Sequence, residues 1–168
     1  IGNSDSGLIA AGASSNVVTQ SYLWGGIYGI QMYTNADYND ISFSTMIANA
    51  SRTSALNLSS SDGNAVKGSY MQSLAGYGAF LDTGADYNTI IRSTMTSAAV
   101  TAARYALYMT GVSTNTILDS YVQGSTAAFI SGSTGTVIGG TVFVATNTTG
   151  GALVLVGGSV NLTLTTST

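Results

Sequence analysis

Apolar residues along this chain recur at positions i and i+2 in short runs, the spacing of a strand with one buried face. Six such runs are Ile30-Gln-Met32, Leu56-Asn-Leu58, Ala79-Phe-Leu81, Leu107-Tyr-Met109, Ala128-Phe-Ile130 and Leu153-Val-Leu155. A second pattern alternates with them and reads N-x-[VI]-x-x-S-[YT]-[LMV]. Its copies start at Asn16, Asn39, Asn64, Asn88 and Asn115. A sixth starts at Gly135, with Gly135 and Gly140 in the places of Asn and Ser, and a weaker seventh starts at Gly158. Successive starts lie 23, 25, 24, 27, 20 and 23 residues apart. Between the two patterns run segments such as Tyr-Thr-Asn-Ala-Asp-Tyr at 33–38 and Asp-Thr-Gly-Ala-Asp-Tyr at 82–87, whose Gly, Asn and Asp suit turns.

Each unit of about 24 residues thus carries three short apolar stretches separated by turns, and cannot bury them alone. Stacked units share one continuous core. A helical solenoid needs segments of about ten or more residues at a 3.6-residue period, and none is present. Hairpin architectures do not repeat one motif in one phase. The pattern therefore predicts an all-β chain, a single-stranded parallel β-helix of about seven coils, with strands stacked at roughly 4.8 Å. Two inner columns follow: Val18, Ile41, Val66, Ile90, Ile117, Val137 and Leu23, Met46, Met71, Met95, Val122, Val142. The repeated Asn forms one ladder, and Ser21, Ser44, Ser69, Ser93 and Ser120 form a second at another corner.

The N-x-[VI]-x-x-S-x-[LMV] unit on a 20–27-residue coil resembles bacterial right-handed parallel β-helix repeat proteins, over roughly residues 7–160. These share the solenoid of pectate-lyase-like enzymes and of periplasmic copper-site maturation proteins. The stretch Tyr87 to Thr168 is similar to repeats of very large bacterial surface proteins. The resemblance implies the right hand of the coil, and it is specific for fold rather than for activity, because the motif residues are core and turn positions.

Composition narrows the chemistry. The 168 residues include no Cys, His or Pro, only 7% charged residues, and seven acids that are all Asp. Imidazole and thiolate metal sites, Ser-His-Asp and Cys-His catalysis and disulfides are excluded. Four basic residues and a net charge of −3 speak against nucleic acid as a partner. No apolar run approaches the roughly 20 residues of a membrane span. Ile1 is preceded by no basic-then-apolar leader, so residues 1–168 are expected to form one β-helix domain cut or processed from a longer chain. The uncharged, Tyr-rich composition leans towards an extracellular or cell-surface setting.

Several residues are weighed for chemistry. Asp37, Asp62 and Asp86 sit two residues before their Asn on successive units, where a hard cation would relieve their repulsion; solvated turn carboxylates are the plainer reading. Asp82 and Asp86 are the acids nearest to a lyase-like groove, with Arg92 in reach but across a corner. Arg92 and Asp119 share a column and are expected to form a surface ion pair. Tyr28, Tyr77 and Tyr105 stand at one offset before the i, i+2 runs and are candidates for stacking on sugar rings. Tyr22, Tyr70 and Tyr121 alternate in another column with Thr45, Thr94 and Thr141. The Asn-x-Ser/Thr matches at Asn49, Asn57, Asn147 and Asn161 are assigned no role. No cofactor, catalytic residue or resident metal is assigned. The expected function is a non-catalytic structural or adhesive segment. A polysaccharide-binding or polysaccharide-cleaving β-helix and a self-associating filament subunit remain as alternatives, with carbohydrate or a second copy as the partner.

Overall fold

The computed structural model of the chain describes residues 5–51, 53–100, 103–158 and 161–165. The first three coils are β1 (Leu8–Ala11), β2 (Val17–Thr19), β3 (Tyr22–Gly25); β4 (Tyr28–Tyr33), β5 (Asp40–Ser42), β6 (Thr45–Ala48); and β7 (Ser54–Ser59), β8 (Ala65–Lys67), β9 (Tyr70–Ser73). The next three are β10 (Tyr77–Asp82), β11 (Thr89–Ile91), β12 (Thr94–Ser97); β13 (Tyr105–Thr110), β14 (Thr116–Leu118), β15 (Tyr121–Gly124); and β16 (Thr126–Ser131), β17 (Val137–Gly139), β18 (Val142–Ala145). Strands β19 (Leu153–Val156) and β20 (Thr163–Thr165) begin a seventh. Every third strand pairs in parallel, giving two seven-stranded sheets headed by β1 and β2 and a six-stranded sheet headed by β3, here the first, second and third sheets. The chain is therefore a β-solenoid of six full coils and two strands of another. No described helix is long and apolar enough to cross a membrane.

Like stacks on like inside the coils. Val18, Ile41, Val66, Ile90 and Ile117 are successive partners in the second sheet. Leu23, Met46, Met71, Met95 and Val122 are partners in the third. Ile30, Leu56, Ala79, Leu107, Ala128 and Leu153 continue through the first. From the second coil to the fifth these side chains are buried, and each large aliphatic contributes about 1.5–3 kcal/mol.

The two polar ladders hold the corners. The Asn39 side chain accepts the Asn16 backbone N–H at 2.9 Å, and Asn64, Asn88 and Asn115 do the same for the coil before them at 2.8 Å. Ser44, Ser69, Ser93 and Ser120 hydroxyls accept the preceding Ser N–H at 3.1–3.2 Å. Residues just ahead of each ladder, such as Tyr38 and Phe43, have φ near +50° and turn the chain sharply.

The sixth coil departs from the predicted register by one residue. Ile138, not Val137, is the partner of Ile117, and Phe143, not Val142, is the partner of Val122. Thr136 and Thr141 occupy the places of Asn and Ser, and Thr141 Oγ1 accepts the Ser120 N–H at 3.4 Å. Gly135 and Gly140 instead take the left-handed positions ahead of the ladders, with φ of 61° and 58°, where glycine has no Cβ to clash. A one-residue slip reverses every side chain of a strand, so Val137 and Val142 face outward. The Tyr22 column accordingly ends in Val142, and Thr141 is a buried corner residue. The predicted Arg92–Asp119 pair is not formed; both are exposed corner residues, and the ion pair among the described residues joins Lys67 Nζ to Asp40 Oδ2 at 2.5 Å. The motif start placed at Gly158-Ser-Val160 lies partly outside the described residues. The seventh coil resumes with Leu162 against the core and Thr163 beneath Val137.

Candidate functional site

Tyr28, Tyr77 and Tyr105 all lie on the outward face of the first sheet, in one column with Ser54 and Thr126. Ser54 separates Tyr28 from Tyr77, while Tyr77 and Tyr105 stack at 6.0 Å between centroids. Beside them runs a second aromatic column from the middle positions of the i, i+2 runs. Phe80 stacks on Tyr108 at 4.8 Å with 4° between planes, and Tyr105 stacks on Phe129 at 4.7 Å with 13°. The Arg104 guanidinium sits 5.7 Å from the Tyr77 ring centroid. These rings cover one another's faces along the solenoid axis, so sugar rings find edges there rather than open platforms. Such pairs contribute about 0.5–1.5 kcal/mol each beyond area burial, which makes the patch a stabilising ladder. Burial pushes the Tyr105 phenol above its ordinary value, with Tyr77 and Tyr108 adding and Arg104 opposing. Burial also raises Tyr28, with help from the Asp82 charge.

The acids do not converge. Asp82 ends β10 on the same face, and its Oδ1 accepts the Thr83 N–H at 2.8 Å and the Thr83 hydroxyl at 3.3 Å. Asp37, Asp62 and Asp86 do stack at the corner after the first sheet. Each spends an oxygen on the next coil: Asp37 accepts the Asp62 N–H, Asp62 the Asp86 N–H and Asp86 the Ser113 N–H, at 2.7, 2.8 and 2.6 Å. Among the described residues no three acids are grouped to hold a metal ion.

A concave site lies elsewhere, on the outer side of the third sheet. Ser125 alone links β15 to β16, whereas seven residues, 98–104, link β12 to β13 and seven, 146–152, link β18 to β19. The short link between two long ones leaves a groove of about 630 Å³, a volume suited to a small ligand. Its polar wall comes from Tyr70, Gln72, Thr96, Gln123, Ser125 and Asn147. In register, Gln72, Thr96 and Gln123 form one outward column and Tyr70, Thr94 and Tyr121 the next. The Thr96 hydroxyl donates to the Tyr70 hydroxyl at 3.4 Å, leaving the phenol proton to donate onward. Asn147 Oδ1 accepts the Thr149 N–H and hydroxyl at 3.0 and 2.9 Å, which holds the 146–152 loop upright and turns the amide nitrogen into the available donor. Ser125 is buried, and its Oγ has no hydrogen-bond partner among the described residues. Loop 146–152 reaches Ser125 only because residue 150 is glycine: a Cβ there would stand 1.9 Å from the Ser125 carbonyl oxygen.

None of the groove residues was singled out by the repeat except Tyr70. The signal was the spacing: the longest interval between motif starts, 27 residues, is followed by the shortest, 20. That alternation marks a tall loop beside a short one. Among the described residues the groove lining contains amides, hydroxyls and small apolar groups, with no Asp, Glu, Lys or Arg. It can form neutral hydrogen bonds in both directions.

Comparison with known proteins supports the architecture. No protein-family model matches the chain, and no curated protein sequence matches it. Among solved structures, DFA-IIIase from Arthrobacter chlorophenolicus A6, crystallised in complex with DFA-III, is similar in fold, with a TM-score of 0.56 and 11% identity. The alignment covers 71% of this chain and 26% of the enzyme's chain, so the present chain corresponds to about a quarter of that protein. At this identity the likeness is one of coil architecture.

Proposed function

We propose that this chain is a non-catalytic segment of an extracellular or cell-surface protein, and that it binds neutral glycan in the groove between residues 98–100 and the 146–152 loop. The observation that carries the reading is the charge-free lining of that groove. A neutral glycan offers closely spaced hydroxyls, each both donor and acceptor. Gln72 and Gln123 amides have the matching double capacity and stand in one column with the Thr96 hydroxyl between them. A charged ligand would meet no counter-charge from the described lining residues. The solenoid supplies rigidity, because each coil is held to the next by three strands and two side-chain ladders.

The test is a neutral-glycan array followed by calorimetric titration of the hits. Gln123→Ala should weaken binding about tenfold, the loss of roughly one to two neutral hydrogen bonds. Tyr105→Phe, on the aromatic ladder of the first sheet, should leave affinity unchanged. A parallel screen for glycan cleavage addresses the non-catalytic half of the proposal. Turnover that disappears in Asp82→Asn or Asp86→Asn would overturn it.

A further inference from the structure

The outward columns of the third sheet continue beyond the groove. Tyr22, Thr45 and Tyr70 are successive partners, as are Trp24, Ile47 and Gln72. Two coils from the groove, then, Tyr22 and Trp24 stand on the same face at 69% and 41% exposure. No described ring packs against either of them, in contrast to the rings of the first sheet, which cover one another. From β3 to β15 these two columns contain no charged residue. A large exposed aromatic pair with no ring against it among the described residues is costly to leave in water, and its electron-rich ring faces attract the weakly positive C–H groups of a sugar ring.

We infer that the glycan bound in the groove is a chain lying along the solenoid axis, with Trp24 and Tyr22 as the stacking platform for units outside the groove. This rests on the groove being a glycan site and extends it to a ligand of defined length and direction. Trp24 and Gln123 are four coils apart, about 19 Å at the spacing of parallel strands. A disaccharide cannot touch both; a hexasaccharide can. Thr45 and Thr94 hydroxyls lie along the path between them and Ile47 keeps it flat.

The chain holds one tryptophan, so its fluorescence reports on Trp24 alone. Neutral oligosaccharides from disaccharide to octasaccharide, of the backbone that scores on the array, are titrated by calorimetry and by fluorescence. In the wild-type protein, affinity should rise about tenfold or more between disaccharide and hexasaccharide, one platform's worth of binding energy. Only the longer members should perturb the tryptophan emission. Trp24→Ala should abolish the rise while leaving the disaccharide affinity intact, and Trp24→Phe should restore part of it. Gln123→Ala should weaken short and long members alike. Affinity independent of length, or a Trp24→Ala variant that binds the hexasaccharide as wild type does, overturns the axial arrangement while the groove remains a glycan site. Absence of binding to any neutral glycan removes the groove reading itself.

Discussion

Replacing Ile138 by alanine deletes a side chain that is completely buried between Ile117 and Leu164 in the second sheet. A buried Ile→Ala change loses both transfer energy and packing, about 2–5 kcal/mol. Its neighbour Val137 is 37% exposed and faces outward. Val137→Ala removes partly covered methyl groups, worth about 0.8 kcal/mol per fully buried carbon and less here, for a total near 1 kcal/mol. With a urea slope of about 2 kcal/mol/M, a loss of about 3 kcal/mol lowers the unfolding midpoint by about 1.5 M, against about 0.5 M for Val137→Ala. The assay is urea titration followed by far-ultraviolet circular dichroism. Amide exchange of residues 116–118 serves as a local readout, since each coil touches only its neighbours. The motif aligned on Gly135 requires the reverse, with Val137 in the core. A midpoint shift for Val137→Ala equal to or larger than that for Ile138→Ala would refute the register of the sixth coil.

Asn88→Ala should cost about 2–4 kcal/mol in thermal or urea melts, because it orphans both the Asn64 N–H, now accepted at 2.8 Å, and the Ser61 carbonyl, now bonded at 3.0 Å. Gly150→Ala should weaken glycan binding more than tenfold, with global stability changed by under about 1 kcal/mol, because the new Cβ forces the 146–152 loop off Ser125. Stability should fall as the pH rises above about 10. The folded state holds the Tyr105 proton more tightly than the unfolded chain does, so stability is complete below the unfolded value and is lost through the folded one. Alkaline titration of Tyr105→Phe should show a shallower loss; a steeper one would contradict the direction of the shift.

The columns were legible because burial imposes a period of two on each strand, and because Asn and Ser repeat at fixed corner positions. Ile41, Ile90, Met71 and Met95 could be placed in the core from spacing alone. Gly135 misled the alignment because it was matched to Asn16 by its distance from Val137, whereas backbone conformation assigns it one position earlier, where φ is positive. The aromatic patch was half visible. Tyr77 and Tyr105 stood out by offset, but Phe80, Tyr108 and Phe129 were the spacers of the apolar runs, and the direction of their ring faces depends on stacking between coils. The groove was the least legible feature. It arises from unequal loop heights, and Gln72, Gln123 and Asn147 belong to no repeated motif.

The ladders point in opposite senses along the chain, and this bears on how the protein is made. Each Asn and Ser of a later coil brings an acceptor to an N–H already placed by the coil before it. Each of the three stacked Asp residues holds out a carboxylate to an N–H that has yet to arrive. A finished coil is thus a template that presents donors and acceptors for its successor, and closing each new contact spans only about one repeat of chain, a small loop entropy. A polypeptide delivered from its N-terminus, by a ribosome or through a secretion pore, can lay down one coil at a time on a completed surface without waiting for distant sequence.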